Sequence, residues 1–269
     1  MNKPNVQWNS SDYRNNSSAQ FKWAQETLAN LNVAPDASVL DIGCGDGRIT
    51  RELARLAPQG RVVGIDFSES MIALAKQSFA DVPNLRYERM DAQKIELPER
   101  FDLAFSNAAL HWFKDHESFL ASLHRHMKSG GRLQFNCGGK GNASGILKAV
   151  LAEIGTPEWS GFFPPDVAAP ARLPFAFFDA PEYEALLRRN GFVPKRVEIV
   201  NKDMLQDGWT GLAGWVRTTW MPFTNHVPEE SREKFIAQVV ARYAQGHPLN
   251  AEGKSVVRMA RLVVEAVRP

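Results

Sequence analysis

The chain has 269 residues and a formal net charge of +2, which suits one large α/β domain with an elaboration. Its Lys and Arg residues are scattered among Asp and Glu, which disfavours nucleic-acid-binding and membrane-surface proteins. The polar N-terminus and the lack of a long apolar stretch predict no signal peptide and no membrane insertion. Cys44 and Cys137 form no C-x-x-C pair. We expect a cytoplasmic protein with free thiols and no bound metal.

The first half of the chain alternates strand and helix patterns. Apolar runs predict strands at 39–42, 61–66, 85–90, 101–106 and 132–137, and the pair Gly130-Gly131 precedes the last of them. Helical periodicity is found at 49–56, after an N-cap at Ser68, and at 119–127. Such alternation predicts right-handed βαβ units and a mainly parallel sheet, with ligands at the carboxyl ends of its strands.

The second half is less regular. A helix is predicted at 181–190, a strand at 193–200, a helix at 229–243 and a final strand at 261–267. Segment 157–178 is rich in Pro and Phe, and segment 209–223 holds three tryptophans. We interpret 144–178 and 205–255 as insertions that cover the mouth of the sheet. The tryptophans are typical of a core, and some of them could instead line a substrate cavity.

A glycine-rich turn follows the first strand. The pattern Asp41-x-Gly43-x-Gly45-x-Gly47 opens a helix, and glycines there let a ligand approach the backbone. The spacing differs from the G-x-G-x-x-G of dinucleotide-binding enzymes. Asp66 closes the second strand, where a carboxylate can accept hydrogen bonds from both hydroxyls of a ribose. A helix N-cap or a surface charge is the alternative for Asp66.

Two further strand ends carry candidate residues. Asp91 and Ala92 follow the third strand and could address the amine and ring nitrogens of adenine, although a loop carboxylate is the plain alternative. Phe67 and Met71 could wall that ring, and Met71 could equally be core. After the fourth strand, in 107–112 (NAALHW), His111 is a candidate hydrogen-bond donor or general base. The alternative there is a helix start, with Trp112 packed in the core.

The ordered segments VLDIGCGDG, VVGIDFSESMI, MDAQKIELPERFDLAFSNAALHW and LHRHMKSGGRL resemble the class I S-adenosylmethionine (SAM)-dependent methyltransferases. They are most similar to the branch of trans-aconitate methyltransferase and its relatives, over roughly residues 35–138. The resemblance implies a Rossmann-like three-layer sandwich with a mainly parallel seven-stranded sheet and an antiparallel final strand. It also implies one methyltransferase domain over 1–269, with an N-terminal helical cap (1–34), a SAM-binding core (35–143) and the two insertions as helical and aromatic caps.

The resemblance also implies roles for single residues. SAM would be held along its methionine part by Asp41, Gly43, Cys44 and Gly45, at its ribose by Asp66, and at its adenine by Asp91 and Ala92. Asn107 and Ala108 would lie beside the methionine part or the methyl group. The stretch 13–23 (YRNNSSAQFKW) resembles the segment that closes over SAM in this branch, which adds Tyr13, Gln20 and Trp23.

These features predict methyl transfer from SAM, with S-adenosylhomocysteine (SAH) as product, to a small molecule such as a carboxylate. Candidate substrate residues are Trp23, Trp112, Trp215 and Arg217, and candidate arginines for a tricarboxylate are Arg172, Arg217 and Arg258. The alternatives are C-methylation of an isoprenoid or other hydrophobic metabolite, a nicotinamide-dependent oxidoreductase, RNA methylation, and a non-catalytic SAM-binding or partner-binding module. The oligomeric state is expected to be monomer or homodimer.

Overall fold

The computed structural model describes residues 18–169 and 172–269, with side chains from Trp23 onward. Its helices are α1 (Ser18–Ala29), α2 (Arg48–Leu56), α3 (Glu69–Ser78), α4 (His116–His126), α5 (Ser144–Ile154), α6 (Ala180–Arg189), α7 (Gly208–Thr219), α8 (Met221–Thr224) and α9 (Glu229–Ala244). Its strands are β1 (Ser38–Ile42), β2 (Arg61–Asp66), β3 (Leu85–Arg89), β4 (Phe101–Asn107), β5 (Met127–Gly138), β6 (Val193–Gln206) and β7 (Ser255–Val267). None of the described helices has the length and apolarity needed to cross a bilayer.

In the described residues the strands form one seven-stranded sheet in the order β3-β2-β1-β4-β5-β7-β6. β1 pairs in parallel with β2 and β4, β2 with β3, and β4 with β5, whereas β7 runs antiparallel to β5. The prediction of a mainly parallel sheet with an antiparallel final strand is therefore confirmed. The strand order reverses between β1 and β4, and ligands of open α/β sheets bind outside the carboxyl ends of the strands at such a reversal.

Alternate residues of β1 build the two sides of the sandwich. Leu40 packs in one fully apolar cluster with Phe119 of α4, whereas Val39 packs in another with Leu53 of α2. All four side chains are completely buried, and burial of each such side chain stabilises the fold by about 1.5–3 kcal/mol. The sheet thus has a helical layer on each face, which confirms the three-layer sandwich.

Most predicted elements are confirmed, including the N-cap, since the Ser68 hydroxyl accepts a hydrogen bond from the Met71 amide at 3.4 Å. Three strand boundaries were wrong: β6 continues to Gln206, β7 begins at Ser255, and β5 begins at Met127 and runs through Gly130 and Gly131. The Gly130 amide donates to the Arg268 carbonyl at 2.8 Å, and the Arg268 amide donates to the Gly131 carbonyl at the same distance. These long-range hydrogen bonds extend the strand across two residues whose local preference is a turn.

The chain forms two compact units, and β6 and β7 contribute residues to both. The first unit contains 18–140, 176–200 and 261–269, and the second contains 141–169, 172–175 and 201–260. Within the second unit, the buried Glu153 of α5 accepts from Arg242 of α9 at 2.7 Å. The indole of Trp159 donates to Gln238 of α9 at 2.6 Å. Polar contacts as well as aromatic packing therefore order the segment that lacked a clear period in the sequence.

Candidate active site

The turn between β1 and α2 requires glycine at two positions for different reasons. Gly43 has φ +72°, and a Cβ added to it would lie 2.2 Å from the Cβ of Ala109. Gly45 has φ +54°, and a Cβ added there would meet no atom of the described residues within 4 Å. The Gly43 and Cys44 amides donate to the Ile65 carbonyl at 2.8 and 3.0 Å, which fixes the turn against β2. The backbone thus borders an open space at Gly45 that a side chain would fill.

Asp66 joins this turn to the start of α3. Its two carboxylate oxygens accept hydrogen bonds from the Gly45 amide at 3.0 Å and from the Ser68 amide at 2.8 Å. Burial raises the pKa of Asp66, and these backbone donors counteract the rise. The carboxylate lies at the carboxyl end of β2 beside the glycine turn, where it can also accept hydrogen bonds from ribose hydroxyls.

Asp41 is a buried carboxylate beneath the same turn. Only 2% of it is exposed, and the Thr50 hydroxyl donates to it at 2.7 Å. Burial raises the pKa of Asp41 to about 7, against the opposing effect of Thr50 and with a further rise from the negative charge of Asp66. A cation beside the turn would favour the ionised form of Asp41. Burial also raises the pKa of the Cys44 thiol well above its usual value, so Cys44 is a neutral, buried thiol.

The candidate adenine-binding residues lie at the end of β3 and the start of α3. Asp91 caps a short 3₁₀ turn, Ala92–Lys94, by accepting from the Gln93 amide and the Gln93 side chain, both at 3.1 Å. Ala92 belongs to the apolar core. Phe67 is 56% exposed, with the Arg89 guanidinium 5.9 Å from its ring centre, whereas Met71 is buried. Phe67 is therefore an accessible apolar surface, and Met71 packs as core.

The ends of β4 and β5 are tied together by polar groups. Asn107 lies in register with Asn136, and the Ala108 amide donates to the Asn136 carbonyl at 2.7 Å. Ala108 has φ +57°, a left-handed conformation that costs a non-glycine residue about 1–3 kcal/mol and that clusters at functional sites. The Asn136 side chain donates to the Thr27 hydroxyl of α1 at 2.8 Å. The residues next to Asn107 are thus held in one conformation.

His111 lies in a 3₁₀ turn, Leu110–Trp112, directly after β4. Its Nδ1 accepts from the Gly138 amide at 3.2 Å, so the neutral ring carries its proton on Nε2. Burial, with a smaller contribution from His116, lowers the pKa of His111 to about 4. Its ring centre is 5.2 Å from that of Trp112 and 6.0 Å from that of Phe177. At neutral pH His111 is therefore an uncharged hydrogen-bond donor and a weak base.

His116 supports the turn that carries His111, a role that the sequence did not indicate. It is 2% exposed, its Nε2 lies 3.0 Å from the Leu110 carbonyl, and its Nδ1 lies 3.2 Å from the Tyr183 hydroxyl. Burial lowers the pKa of His116 to about 4. In the neutral ring Nε2–H donates to Leu110, and Nδ1 accepts from Tyr183. The two histidines thus differ in their partners although both are neutral.

The N-terminal candidates are only partly covered by the described residues. Tyr13 lies outside the described residues. Gln20 lies in α1, but its side chain is not among the described side chains. Trp23 is half-buried, and the guanidinium carbon of Arg261 lies 5.0 Å from its ring centre. Sequence reasoning missed Arg261, Asn136 and Thr27, because only the pairing of β5 with β7 and the packing of α1 bring them to this part of the first unit.

The remaining substrate candidates belong to the second unit. Trp215 is 4% exposed, and its ring centre lies 5.9 Å from that of Trp220. Its indole nitrogen has no hydrogen-bond partner among the described residues. The three candidate arginines form ion pairs with carboxylates of their own unit: Arg217 with Glu233 at 2.5 Å, Arg172 with Asp166 at 2.8 Å, and Arg258 with Asp203 at 3.2 Å. Trp215 thus packs in the interior of its unit, and these arginine charges are already paired.

Comparisons with known proteins agree with this geometry. Residues 39–131 match a family model described as a methyltransferase domain. Trans-aconitate 2-methyltransferase of Variovorax paradoxus (strain S110) is 30% identical over 268 residues, which cover 97% of this chain and 98% of that protein. Malonyl-[acyl-carrier protein] O-methyltransferase of Bacillus anthracis is 33% identical over 132 residues, 48% of this chain and 49% of that protein. The crystal structure of the YcgJ protein of Bacillus subtilis has the same fold, with a TM-score of 0.61 and 17% identity over 92% of this chain and 98% of that one.

Proposed function

This chain belongs to the class I SAM-dependent methyltransferases, near the trans-aconitate methyltransferase branch, and on that premise we propose that it forms the methyl ester of a small carboxylic acid. SAM is its methyl donor. The two relatives reported above carry names that refer to acids or acyl groups, trans-aconitate in one and a malonyl group in the other. A carboxylate acceptor is the simplest chemistry that both names share.

Several features of the first unit support a SAM site at the carboxyl ends of β1 and β2. The space beside Gly45 is open to a ligand, and the Asp66 carboxylate lies next to it, in position to accept from ribose hydroxyls. Asp41 would balance the positive charge of the methionine part. At the adenine, the Asp91 carboxylate and the Ala92 backbone would provide polar contacts, and the exposed ring of Phe67 would provide an apolar wall.

Bound SAM supplies an electrophilic methyl group, and the acceptor oxygen gains the O–CH3 bond as the S–CH3 bond breaks. The observation that favours a carboxylate acceptor is the state of His111. A general base would have to remove a proton from a hydroxyl or an amine, but this ring already carries its proton on Nε2 and has a pKa of about 4. A carboxylate is ionised at neutral pH and needs no base. The protein then contributes positioning and exclusion of water.

The test is a product analysis with methyl-labelled SAM and three acceptors: trans-aconitate, a malonyl thioester and geranyl diphosphate. We expect label in one of the first two, released as methanol by mild alkali because methyl esters are labile to base. Asp66→Ala should abolish this labelling, and Asp36→Ala, which changes an exposed carboxylate, should not.

Other outcomes would contradict the proposal. Label that resists alkali and is found in geranyl diphosphate would identify C-methylation of a hydrophobic acceptor. Tight SAM binding without transfer to any acceptor would favour a non-catalytic SAM-binding module. Base-labile label in a carboxylic acid is the one result that fits methyl ester formation.

A further inference from the structure

Arg261 lies on the sheet face and at the strand ends that carry Asn107. It is directly opposite Gly138 in the antiparallel pair of β5 and β7, and directly opposed residues share a face of the sheet. Asn136 is two residues before Gly138 and therefore shares that face, as does Asn107, its partner in register on β4. The pairing of three strands thus places a cation on the same face and at the same end of the sheet as the residue that the family resemblance places beside the methyl group.

Among the described residues, the guanidinium of Arg261 has an aromatic partner but no carboxylate partner. It is half-buried, and its carbon lies 5.0 Å from the centre of the Trp23 ring, within the range of a cation–π interaction. Burial lowers the pKa of Arg261, and the negative charge of Glu26 raises it, but the group stays positively charged at neutral pH. Throughout the described ranges, no carboxylate comes within ion-pair distance of Arg261. The exposed Arg196, by contrast, pairs with Glu198.

A half-buried cation without a paired anion is costly, because it has lost part of its hydration and gained little in return. A guanidinium can bind a carboxylate through two parallel N–H···O hydrogen bonds, which is the strongest charge-assisted contact open to it. A ligand carboxylate would therefore supply the ion-pair partner that the described residues do not.

His111 lies on the other side of the same glycine. The Gly138 amide donates to Nδ1 of His111, while Arg261 faces Gly138 from β7. Gly138 has no side chain that could separate the imidazole from the guanidinium. His111, the candidate hydrogen-bond donor or general base, and Arg261, which sequence reasoning missed, thus both lie beside Gly138 at the end of β5.

We propose that Arg261, positioned by Trp23, binds an ionised carboxylate of the methyl acceptor and makes the enzyme selective for acids. This inference rests on the proposed function and adds the residue that recognises the acceptor. It also explains why Arg172, Arg217 and Arg258 do not need this role, since each is paired with a carboxylate of its own unit.

The test measures acceptor binding apart from turnover. The protein saturated with SAH is titrated calorimetrically with propionate, succinate and trans-aconitate, at low and at high salt. In Arg261→Gln we expect the dissociation constant of the tightest-binding acid to rise about 100-fold, since one partner of a half-buried charge pair is removed. Arg261→Lys keeps the charge without the planar fork and should show about a tenfold rise. Arg196→Gln is the matched control, and it should bind the acids as the wild type does.

The affinity for SAH separates a lost contact from a lost fold, and we expect it to stay within about twofold in all three variants. The salt dependence of acid binding should weaken in Arg261→Gln, because an ion pair has been removed. If Arg261→Gln fails to bind SAH, the tenfold effect expected of Arg261→Lys decides the question.

Two results would overturn the inference: wild-type affinity for the acids in a folded Arg261→Gln protein, or no acid binding to the wild type. Acid binding that depends on Arg261, in a protein that forms no methyl ester, would support carboxylate binding by Arg261 and contradict the proposed function. Ester formation that is unaffected by Arg261→Gln would contradict carboxylate binding by Arg261 but not the proposed function.

Discussion

Replacement of Asp41 by Asn should change how the stability of the protein depends on pH. The pKa of Asp41 rises from 3.8 to about 7 on folding, so the folded state binds a proton more tightly than the unfolded state. The resulting stabilisation is complete below pH 3.8 and is lost as the pH rises through about 7. This stabilisation is about 4 kcal/mol when complete, and about 2.5 kcal/mol of it is lost between pH 5 and pH 8. An Asn side chain can still accept from Thr50 but does not titrate.

The assay is urea unfolding without SAM at several pH values over this range, for the wild type and for Asp41→Asn. His111 and His116, whose pKa values fall to about 4, act with the opposite sign, because their stabilisation is present above pH 6.5 and is lost as the pH falls. Both histidines are present in both proteins, so their effect cancels in the difference. We expect the unfolding free energy of the variant relative to the wild type to rise by about 2.5 kcal/mol from pH 5 to pH 8. A difference that does not vary with pH would show that folding does not raise the pKa of Asp41.

Two further predictions concern the cofactor site. SAM affinity, measured by calorimetry, should rise about tenfold between pH 6 and pH 8, because the ligand cation favours ionised Asp41. Asp41→Asn should remove this pH dependence. Wild-type affinity that does not change with pH would show that the charge of Asp41 does not act on the ligand. Gly43→Ala should destabilise the fold by about 3 kcal/mol or more, since the new Cβ would lie 2.2 Å from the Cβ of Ala109. Gly45→Ala should lower the free energy of unfolding by only about 1 kcal/mol but should weaken SAM binding at least tenfold. Equal SAM affinity in wild type and Gly45→Ala would show that the open space beside Gly45 does not hold the ligand.

The strands and helices of the first unit could be predicted because their signals are local. β2 keeps the predicted bounds, and Ser68 caps α3 as its position before an amphipathic run indicated. β6 and β7 extend beyond their predicted bounds, to Gln206 and from Ser255, because pairing between strands distant in the chain decides where they end.

The candidate site divides in the same way. Asp41, Gly43, Gly45 and Asp66 occur at fixed spacings around the first two strands, so the sequence was enough to select them as candidates. Arg261 carries no such signal, because its relation to Asn107 depends on the register of β5 with both β4 and β7. The tautomer of His111 likewise depends on one amide, that of Gly138, which is 27 residues away in the chain.

The most direct test of the SAM site is calorimetric binding of SAM and SAH to the wild type, to Asp66→Ala and to the control Asp36→Ala. We expect micromolar binding to the wild type and to the control, and a loss of about 100-fold or more in Asp66→Ala, because the hydrogen bonds from the ribose to a charged acceptor are removed. Absence of binding to the wild type, or equal binding to wild type and Asp66→Ala, would contradict the assignment of the cofactor site to the ends of β1 and β2.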